Sequence, residues 1–147
     1  MLSNKAARPL SAAFVLIERD GKYLFVLRGN TKWMNGYYGL PSGKVEDGEG
    51  FLTAAVREAR EEVGVELEPE TLRHVVTVWR QAEEPGFEWC DVAFAAGTWS
   101  GEPYNAEPTV HDKIAWFGLD ELPENIVPNV KEIISCYQKG QTYSEIR

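Results

Sequence analysis

The chain has 147 residues, 44% of them hydrophobic, and a formal net charge of −8. This length and apolar content fit one domain with a single substantial core, so we expect one domain over residues 1–147 with loosely ordered termini at 1–9 and 141–147. The negative charge argues against a protein that wraps a nucleic-acid polymer, whose phosphates need a basic surface.

The sequence also argues against a membrane or secreted protein. No stretch approaches membrane-spanning length, and no apolar run follows the basic N-terminal residues as in a signal peptide. We therefore expect a cytoplasmic location. Cys90 and Cys136 form no CxxC pair and lie far apart, which predicts buried thiols rather than a disulfide framework or a zinc site.

A β-hairpin is predicted near the start of the chain. Ala12 to Ile17 and Tyr23 to Arg28 are apolar and β-prone, and Asp20-Gly21 lies between them. Asp-Gly between such segments favours a hairpin turn. A loop from Gly29 to Tyr38, rich in glycine, asparagine and aromatic residues, follows the hairpin.

An acidic helix is predicted to follow Asp47-Gly48-Glu49 and to end at Gly64. Residues three and four apart are neighbours on a helix, so one arc of about 100° is expected to carry three carboxylates, those of Glu58, Glu61 and Glu62. The opposite stripe is apolar and is expected to face the core, so that the carboxylates point away from it; its members are Leu52, Val56, Ala59 and Val63. Ala54 and Ala55 are small enough to admit a ligand, although alanine is also the best helix former.

Two interpretations fit this acidic arc. One is a solvated acidic face. The other is a site for a divalent cation, because hard cations bind carboxylate oxygens, water and phosphate. Glu61 and Glu62 lie in the last helical turn, where a negative charge opposes the helix dipole at a cost of about 0.3 to 1 kcal/mol each. A bound Mg²⁺ would remove that cost.

Further strands and a second helix are predicted beyond Gly64. Leu72 to Arg80 and Trp89 to Ala96 are expected to pair through the loop Ala82 to Glu88, which contains Pro85-Gly86. Ile114 to Gly118 predicts another short strand. A helix follows whose apolar residues are Val130, Ile133, Ile134 and Tyr137 and which Gly140 closes. The tail, Gln141 to Arg147, is expected to fray. The order of elements predicts an α/β fold with helices on both faces of a sheet.

The spacing of fixed residues from Gly43 to Val65 resembles the Nudix box of MutT-type pyrophosphohydrolases. The box begins with a glycine, Gly43, which is followed by five residues and Glu49. After seven further residues come Arg57-Glu58, an aliphatic position, Glu61-Glu62, Gly64 and an aliphatic residue. The match departs only at Ala59, where a larger aliphatic residue is usual. A motif with this many fixed positions strongly favours the resemblance, subject to its structural context. It implies the Nudix fold, a mixed β-sheet between α-helices.

The resemblance also implies the metal site. Glu58 and Glu62 are expected to be the primary ligands of Mg²⁺, for which Mn²⁺ may substitute, together with the backbone carbonyl of Ser42. Glu61 is expected to share a second metal ion or orient the attacking water. Arg57 is expected to pair with Glu49 or its neighbours and so fix the ligand rotamers.

Candidates outside the box are less sharply defined. The family places a further acid ahead of a late strand, which here is Asp112, as a ligand or general base, with Glu107 as the fallback. A loop residue bonded to its own backbone is the alternative for Asp112. Arg28 is a candidate phosphate ligand or a surface ion pair. Asn125 resembles a purine-binding position but also suits a helix cap.

The aromatic and histidine side chains are the remaining candidates. The aromatic candidates for stacking on a base are Trp33, Tyr37, Tyr38, Trp79, Phe87 and Trp89. His74 and His111 have no partners at metal-ligand spacing, so both are expected to be structural or exposed.

The resemblance implies a Mg²⁺-dependent hydrolase that converts a nucleoside triphosphate to a monophosphate and pyrophosphate. One alternative is hydrolysis of ADP-ribose or another nucleoside diphosphate derivative, and a second is a non-catalytic module that senses a nucleotide. The intact Glu58, Glu61 and Glu62 favour the enzyme over the sensor. Small nucleotides are the expected partners, and the oligomeric state is left open.

Overall fold

The structure is a computed structural model that describes residues 5–81 and 87–147. Its strands are β1 Leu10–Leu16, β2 Glu18–Arg19, β3 Lys22–Arg28, β4 Tyr38–Gly39, β5 Ser42–Lys44, β6 Glu66–Leu67, β7 Arg73–Gln81, β8 Glu88–Ala95, β9 Trp99–Ser100, β10 His111–Phe117 and β11 Tyr143–Ile146. The two α-helices are α1 Phe51–Val63 and α2 Pro128–Lys139, and a short 3₁₀ helix spans Pro69–Thr71.

The larger of the sheets is mixed, and the second is antiparallel. The larger sheet has five strands in the order β11-β7-β8-β1-β5, in which β1 runs parallel to β8 and antiparallel to β5. A second sheet has the order β10-β3-β2, with β4 paired to β3. Mixed sheets with helices on both faces are an α/β sandwich, which confirms the predicted fold class.

The burial of strand β1 on both faces explains its apolar sequence. Phe14 and Leu16 face the core that α2 covers, and the alternate residues Val15 and Ile17 face the core that α1 covers. Successive side chains of a strand point to opposite faces. A strand that is buried on both faces therefore needs an uninterrupted apolar sequence.

Helix α1 ends where predicted, but its buried face differs from the prediction. Gly64 caps it in the left-handed region at φ 68°, a conformation that glycine adopts without steric cost. Ala54 and Ala55 are fully buried in the core, whereas Leu52 is 42% exposed. The apolar stripe was therefore wrong at Leu52, and the two alanines are small because the helix packs closely on the sheet.

The predicted strands agree with the structure to within a few residues. The turn between β2 and β3 has positive φ at both Asp20 and Gly21, as expected of an Asp-Gly hairpin turn. Strands β7 and β8 pair antiparallel, as predicted. Most of the predicted loop Ala82 to Glu88, including Pro85-Gly86, lies outside the described residues, and Glu88 already belongs to β8.

The prediction for the C-terminal tail was wrong. Tyr143–Ile146 forms a strand that pairs in parallel with β7. The Ser144 hydroxyl donates a hydrogen bond of 3.0 Å to Glu132 of α2, which ties this strand to the helix. At the other end of the chain, residues 1–4 lie outside the described residues, and 5–9 form no helix or strand.

Two further findings concern the helices and the thiols. Neither helix in the described part of the chain is long and apolar enough to cross a bilayer. Both cysteines are free thiols; Cys136 is buried, as predicted, and Cys90 is half-buried.

Candidate active site

Three acidic side chains converge beside the C-terminal half of α1. Among the described residues, Glu58, Glu62 and Glu107 are the group of potential metal ligands whose nearest donor atoms all lie within 4.8 Å of one another. Glu58 is 9% exposed and Glu62 is 6% exposed. The expectation that the helix carboxylates point away from the protein interior was therefore wrong for these two.

Strand β5 holds the two helix carboxylates in place. The Ser42 backbone N–H donates to Glu62 Oε1 at 3.3 Å. The Glu58 carboxylate lies so close to the Gly43 backbone that a Cβ built at Gly43 would overlap it. The glycine at this position of the box therefore makes room for a ligand side chain.

Glu107 reaches the cluster from the segment between β9 and β10. This segment crosses the end of α1, where the Ala106 N–H donates to the Glu62 carbonyl at 3.0 Å. The Asn105 side chain accepts a hydrogen bond of 3.2 Å from the Glu107 N–H. The third carboxylate is thus positioned by backbone contacts with the helix that bears the other two.

The cluster is poorly suited to hold its negative charge alone. Burial raises the pKa of Glu58 and of Glu107. The pKa of Glu62 lies well above its usual range because the group is buried and faces the charge of Glu58. Converging carboxylates with raised pKa values favour either bound protons or a cation. Converging carboxylate oxygens of this kind fit a hard divalent ion such as Mg²⁺.

Arg57 joins the cluster to the start of the helix. Its Nε and Nη2 donate to the two oxygens of Glu49 at 2.8 and 2.9 Å. Its Nη1 donates to Glu58 Oε1 at 2.8 Å and to Glu61 Oε2 at 3.2 Å. These hydrogen bonds from Arg57 lower the pKa of Glu49 to about 2. The Arg57 guanidinium therefore orients the Glu58 carboxylate and is itself held by Glu49, which precedes the helix.

The cluster opens onto a cleft of about 800 Å³ between the two sheets and α2. Its basic lining residues are Arg28, Lys32, Lys44 and Arg80, and its aromatic lining residues include Phe14, Trp33, Phe87 and Trp89. Glu62 also lines the cleft. A protein with an overall charge of −8 thus gathers cations and aromatic faces next to its acidic cluster, which suits a phosphorylated ligand with an aromatic base.

A family model for the NUDIX domain matches residues 7–136 of this chain. The chain belongs to the Nudix family. It resembles the crystal structure of a MutT Nudix hydrolase from Burkholderia pseudomallei, at a TM-score of 0.79 and 31% identity over 87% of this chain and 97% of that one.

Curated relatives agree with this membership. Phosphatase NudJ of Escherichia coli strain K12 is 26% identical over 92% of this chain and 88% of its own length. The Nudix hydrolase YvcI of Bacillus subtilis is 26% identical over 86% of this chain and 77% of its own length. The human 8-oxo-dGDP phosphatase NUDT18 is 29% identical over 74% of this chain but only 32% of its own length. The chain is thus a Nudix hydrolase, an enzyme that acts on pyrophosphate bonds.

The Nudix box residues divide into two groups in the structure. Glu58 and Glu62 lie in the acidic cluster, and Arg57 pairs with Glu49. Glu61 lies outside the cluster with its side chain 50% exposed, and its carboxylate accepts a hydrogen bond from Arg57. The structure therefore brings together two of the three helix glutamates.

The two acids outside the box also differ in placement. Glu107, the fallback, joins the cluster. Asp112 is exposed, and its carboxylate lies against the backbone of Gly29 at the end of β3. The structure therefore brings Glu107 rather than Asp112 beside Glu58 and Glu62.

Arg28 lies inside the cleft rather than in a surface ion pair. Its Nε donates to the Trp33 carbonyl at 3.0 Å, and its guanidinium carbon is 5.3 Å from the Trp33 ring centre. Burial lowers the pKa of Arg28, although the charge of Glu62 opposes this. An arginine held near the acidic cluster in this way suits a phosphate group.

Asn125 does not cap α2, and its side chain bonds the preceding loop instead. Its side-chain amide donates to the Gly36 carbonyl at 2.8 Å and so holds the loop before β4. The N-cap of α2 is Val127 rather than Asn125, and Asn125 is not among the residues that line the cleft. Asn129, four residues later, does line it.

His111 was expected to be structural or exposed, and the structure places it beside the cluster. It lines the cleft, and its Nε2 lies 3.8 Å from Glu62 Oε2. Burial lowers its pKa, and Arg28, its partner across the β3–β10 ladder, adds to this effect. Its Nδ1 is buried without a hydrogen-bond partner in the described part of the chain.

We expect Arg57→Lys to reduce kcat/KM by roughly 10- to 100-fold, as is typical when a partner of a metal ligand is lost. A lysine ammonium lacks the planar, forked guanidinium with which Arg57 bonds Glu49 and Glu58 at the same time. Arg60→Lys is the matched control, because Arg60 lies on the same helix and its fork binds Glu66 outside the cluster at 2.6 and 2.9 Å. Equal losses in the two variants would contradict a role for Arg57 in the site.

Proposed function

We propose that this Nudix hydrolase cleaves a nucleoside triphosphate, ribo or deoxy, to a nucleoside monophosphate and pyrophosphate in a Mg²⁺-dependent reaction. The observation that carries the proposal is the convergence of Glu58, Glu62 and Glu107 within 4.8 Å at a cleft lined by cations and aromatic side chains. Oxygen ligands next to a phosphate site favour Mg²⁺.

The names of similar proteins support a nucleotide substrate. The similar Burkholderia structure is a MutT Nudix hydrolase, and human NUDT18 is named for an oxidised guanine nucleotide, 8-oxo-dGDP. NudJ is named as a phosphatase. The substrate panel for this chain should therefore contain ordinary nucleoside triphosphates, oxidised guanine nucleotides and nucleoside diphosphate derivatives.

Each part of the site has an assignable task in this reaction. Glu58, Glu62 and Glu107, together with the Ser42 carbonyl, would hold Mg²⁺. The chemistry that Mg²⁺ supplies in such a site is neutralisation of charge on the phosphoryl oxygens and a lower pKa for bound water. Arg28 and Lys32, which also line the cleft, would bind the phosphate chain.

The remaining contacts position these groups. Arg57 keeps the Glu58 carboxylate directed into the site, and Glu49 anchors Arg57 through two hydrogen bonds. Glu61, which is exposed outside the cluster, accepts a further hydrogen bond from Arg57. Trp33, Phe87 and Trp89 line the cleft and offer faces on which a base can stack.

A substrate panel tests the proposal. With Mg²⁺, we expect a monophosphate and pyrophosphate as products from at least one nucleoside triphosphate, no turnover in EDTA, and recovery with Mn²⁺. Hydrolysis in H₂¹⁸O shows which phosphorus water attacks. Turnover of ADP-ribose but of no triphosphate would replace the proposed substrate class. Nucleotide binding without turnover of any member would instead support a sensor.

A further inference from the structure

His111 is a buried polar side chain whose ring nitrogens have no hydrogen-bond partner. It is the first residue of β10, it is 6% exposed, and it lines the cleft together with Glu62. Its Nε2 lies 3.8 Å from Glu62 Oε2, which is too far for a hydrogen bond. Within the described residues, no other group bonds either ring nitrogen. Buried polar groups are nearly always hydrogen-bonded, so an unpaired one beside an active site points to a missing ligand.

The backbone of His111 is fixed to that of Glu107, which gives the ring a defined position. The His111 N–H donates to the Glu107 carbonyl at 3.0 Å. The Asn105 side chain bridges the same two residues: its Nδ2 donates to the His111 carbonyl at 2.7 Å, and its Oδ1 accepts from the Glu107 N–H at 3.2 Å. These three hydrogen bonds tie His111 to a residue of the acidic cluster.

A β-bulge directs the His111 side chain into the cleft. His111 pairs with Arg28 of β3, but the ladder shifts between His111 and Lys113, so that Asp112 is an extra residue. Bulges next to active sites commonly re-aim a side chain. Asp112 and Lys113 are exposed, whereas His111 and Arg28 both line the cleft. Side chains directly opposite each other on one face of a sheet are neighbours, so the imidazole lies beside the base of the Arg28 side chain.

The surroundings of the ring place a proton on Nε2. A neutral imidazole has one N–H group and one bare nitrogen. A proton on Nδ1 would bury an N–H donor without an acceptor and set the lone pair of Nε2 against an oxygen of Glu62. The imidazolium carries a proton on Nε2 as well, so both charge states present a donor there. Nε2 is not among the fully buried atoms that lack a partner, so this donor is accessible from the cleft.

We propose that His111 binds the substrate: its Nε2 donates a hydrogen bond to an oxygen of the phosphoryl group that lies between Arg28 and the acidic cluster. The inference rests on the proposed function, because it assumes a phosphorylated substrate in the cleft. Arg28 supplies a positive charge from β3, and His111 supplies a directed donor from β10. A donor without a partner in the protein gives up no internal hydrogen bond when the ligand binds, and a bond to a charged oxygen is stronger than one between neutral groups.

His111→Phe tests the inference, because it nearly keeps the ring size and removes both nitrogens. The probe is methylene diphosphonate, which has two linked phosphoryl groups, no base, and a P–C–P bridge that water does not cleave. With Mg²⁺ present, we expect isothermal titration to show an affinity lower than that of the wild type by on the order of tenfold or more, the value of a hydrogen bond to a charged group. His111→Gln should recover part of this loss, because its amide N–H reaches toward the position of Nε2.

His74→Phe is the matched control for this variant. His74 is exposed, its Nε2 lies 2.8 Å from Thr77 Oγ1, and it is not among the residues that line the cleft. Its replacement should leave the diphosphonate affinity at the wild-type value. A thermal melt guards against a folding defect in His111→Phe, which should be as stable as the wild type because the buried Nδ1 has no partner to lose.

The affinity for Mn²⁺ alone separates substrate binding from support of the acidic cluster. It is measured without diphosphonate, from the signal of free Mn²⁺ in electron paramagnetic resonance, and should stay close to that of the wild type in His111→Phe. If it falls as much as the diphosphonate affinity, His111 acts by orienting Glu62 and the inference is overturned. Unchanged affinity for both ligands, or no binding of diphosphonate by the wild type, would overturn it as well.

Turnover distinguishes failure of this inference from failure of the proposed function. Weaker diphosphonate binding in His111→Phe, together with no turnover of any nucleoside triphosphate by the wild type, would support the histidine contact and contradict the triphosphatase proposal. Turnover of a triphosphate with wild-type kcat and KM in His111→Phe would do the reverse.

Discussion

Glu62→Gln is expected to lower kcat by more than about a hundredfold and to abolish stabilisation by Mn²⁺ in a thermal melt. Loss of a partner of a metal ligand commonly costs about 10- to 100-fold, and Glu62 is itself a proposed ligand. Glutamine has nearly the same shape, but its amide has one oxygen and no charge. It should therefore fold well while failing to complete the acidic cluster with Glu58 and Glu107.

Glu61→Gln is the matched control for this variant. It removes the same charge one residue earlier on the same helix, from a side chain that is 50% exposed and lies outside the cluster. We expect it to lose far less activity than Glu62→Gln and to keep the rise in melting temperature with Mn²⁺. If Glu61→Gln were the more damaging substitution, the assignment of ligands would have to change.

Gly43→Ala is expected to reduce activity by about a hundredfold even though it removes no functional group. The added Cβ would overlap the Glu58 carboxylate and force it away from Glu62 and Glu107. Misplacing a reacting or ligating group by about 1 Å can cost on the order of a hundredfold. The apparent dissociation constant for Mn²⁺, measured by titration, should rise in the same variant.

Gly118→Ala tests whether any glycine substitution has this effect. A Cβ at Gly118 would have no heavy atom within 4 Å, so activity and metal affinity should stay near those of the wild type. Wild-type metal affinity in Gly43→Ala would show that Glu58 is free to move and is not held by the strand.

The sequence predicted the parts of this protein that depend on local patterns. The hairpin at Asp20-Gly21, the helix that ends at Gly64 and the helix closed by Gly140 follow from turn, cap and spacing preferences, and all are confirmed. The fixed spacing of the box also predicted the pairing of Arg57 with Glu49, because the resemblance carries the geometry of known members.

Features that depend on distant parts of the chain were missed or wrongly predicted. Glu107 was predicted only as the fallback to Asp112, because it joins the cluster where residues 104–106 cross the end of α1, and spacing along the sequence does not reveal such a crossing. Asn129 gains its orientation from Asp91, which lies 38 positions earlier in the sequence. The tail was expected to fray because its residues are mainly polar, but the open edge of β7 provides it with a pairing partner.

The burial of Glu58 and Glu62 was also missed, for a physical reason. Local rules place acidic side chains in water, since desolvating a carboxylate without a partner is costly. Here, a buried position is tolerable because Arg57 and the Ser42 N–H bind the two carboxylates. A functional site departs from local rules where its chemistry needs such groups together.

The two walls of the cleft come from different stretches of the chain. Residues 42–62 and Glu107 supply the clustered carboxylates, whereas Arg80, Asp91 and Asn129 belong to β7, β8 and α2. Substitutions in the second set leave the first intact, so the shape and polarity of one wall of the cleft can diverge while the acidic cluster is preserved.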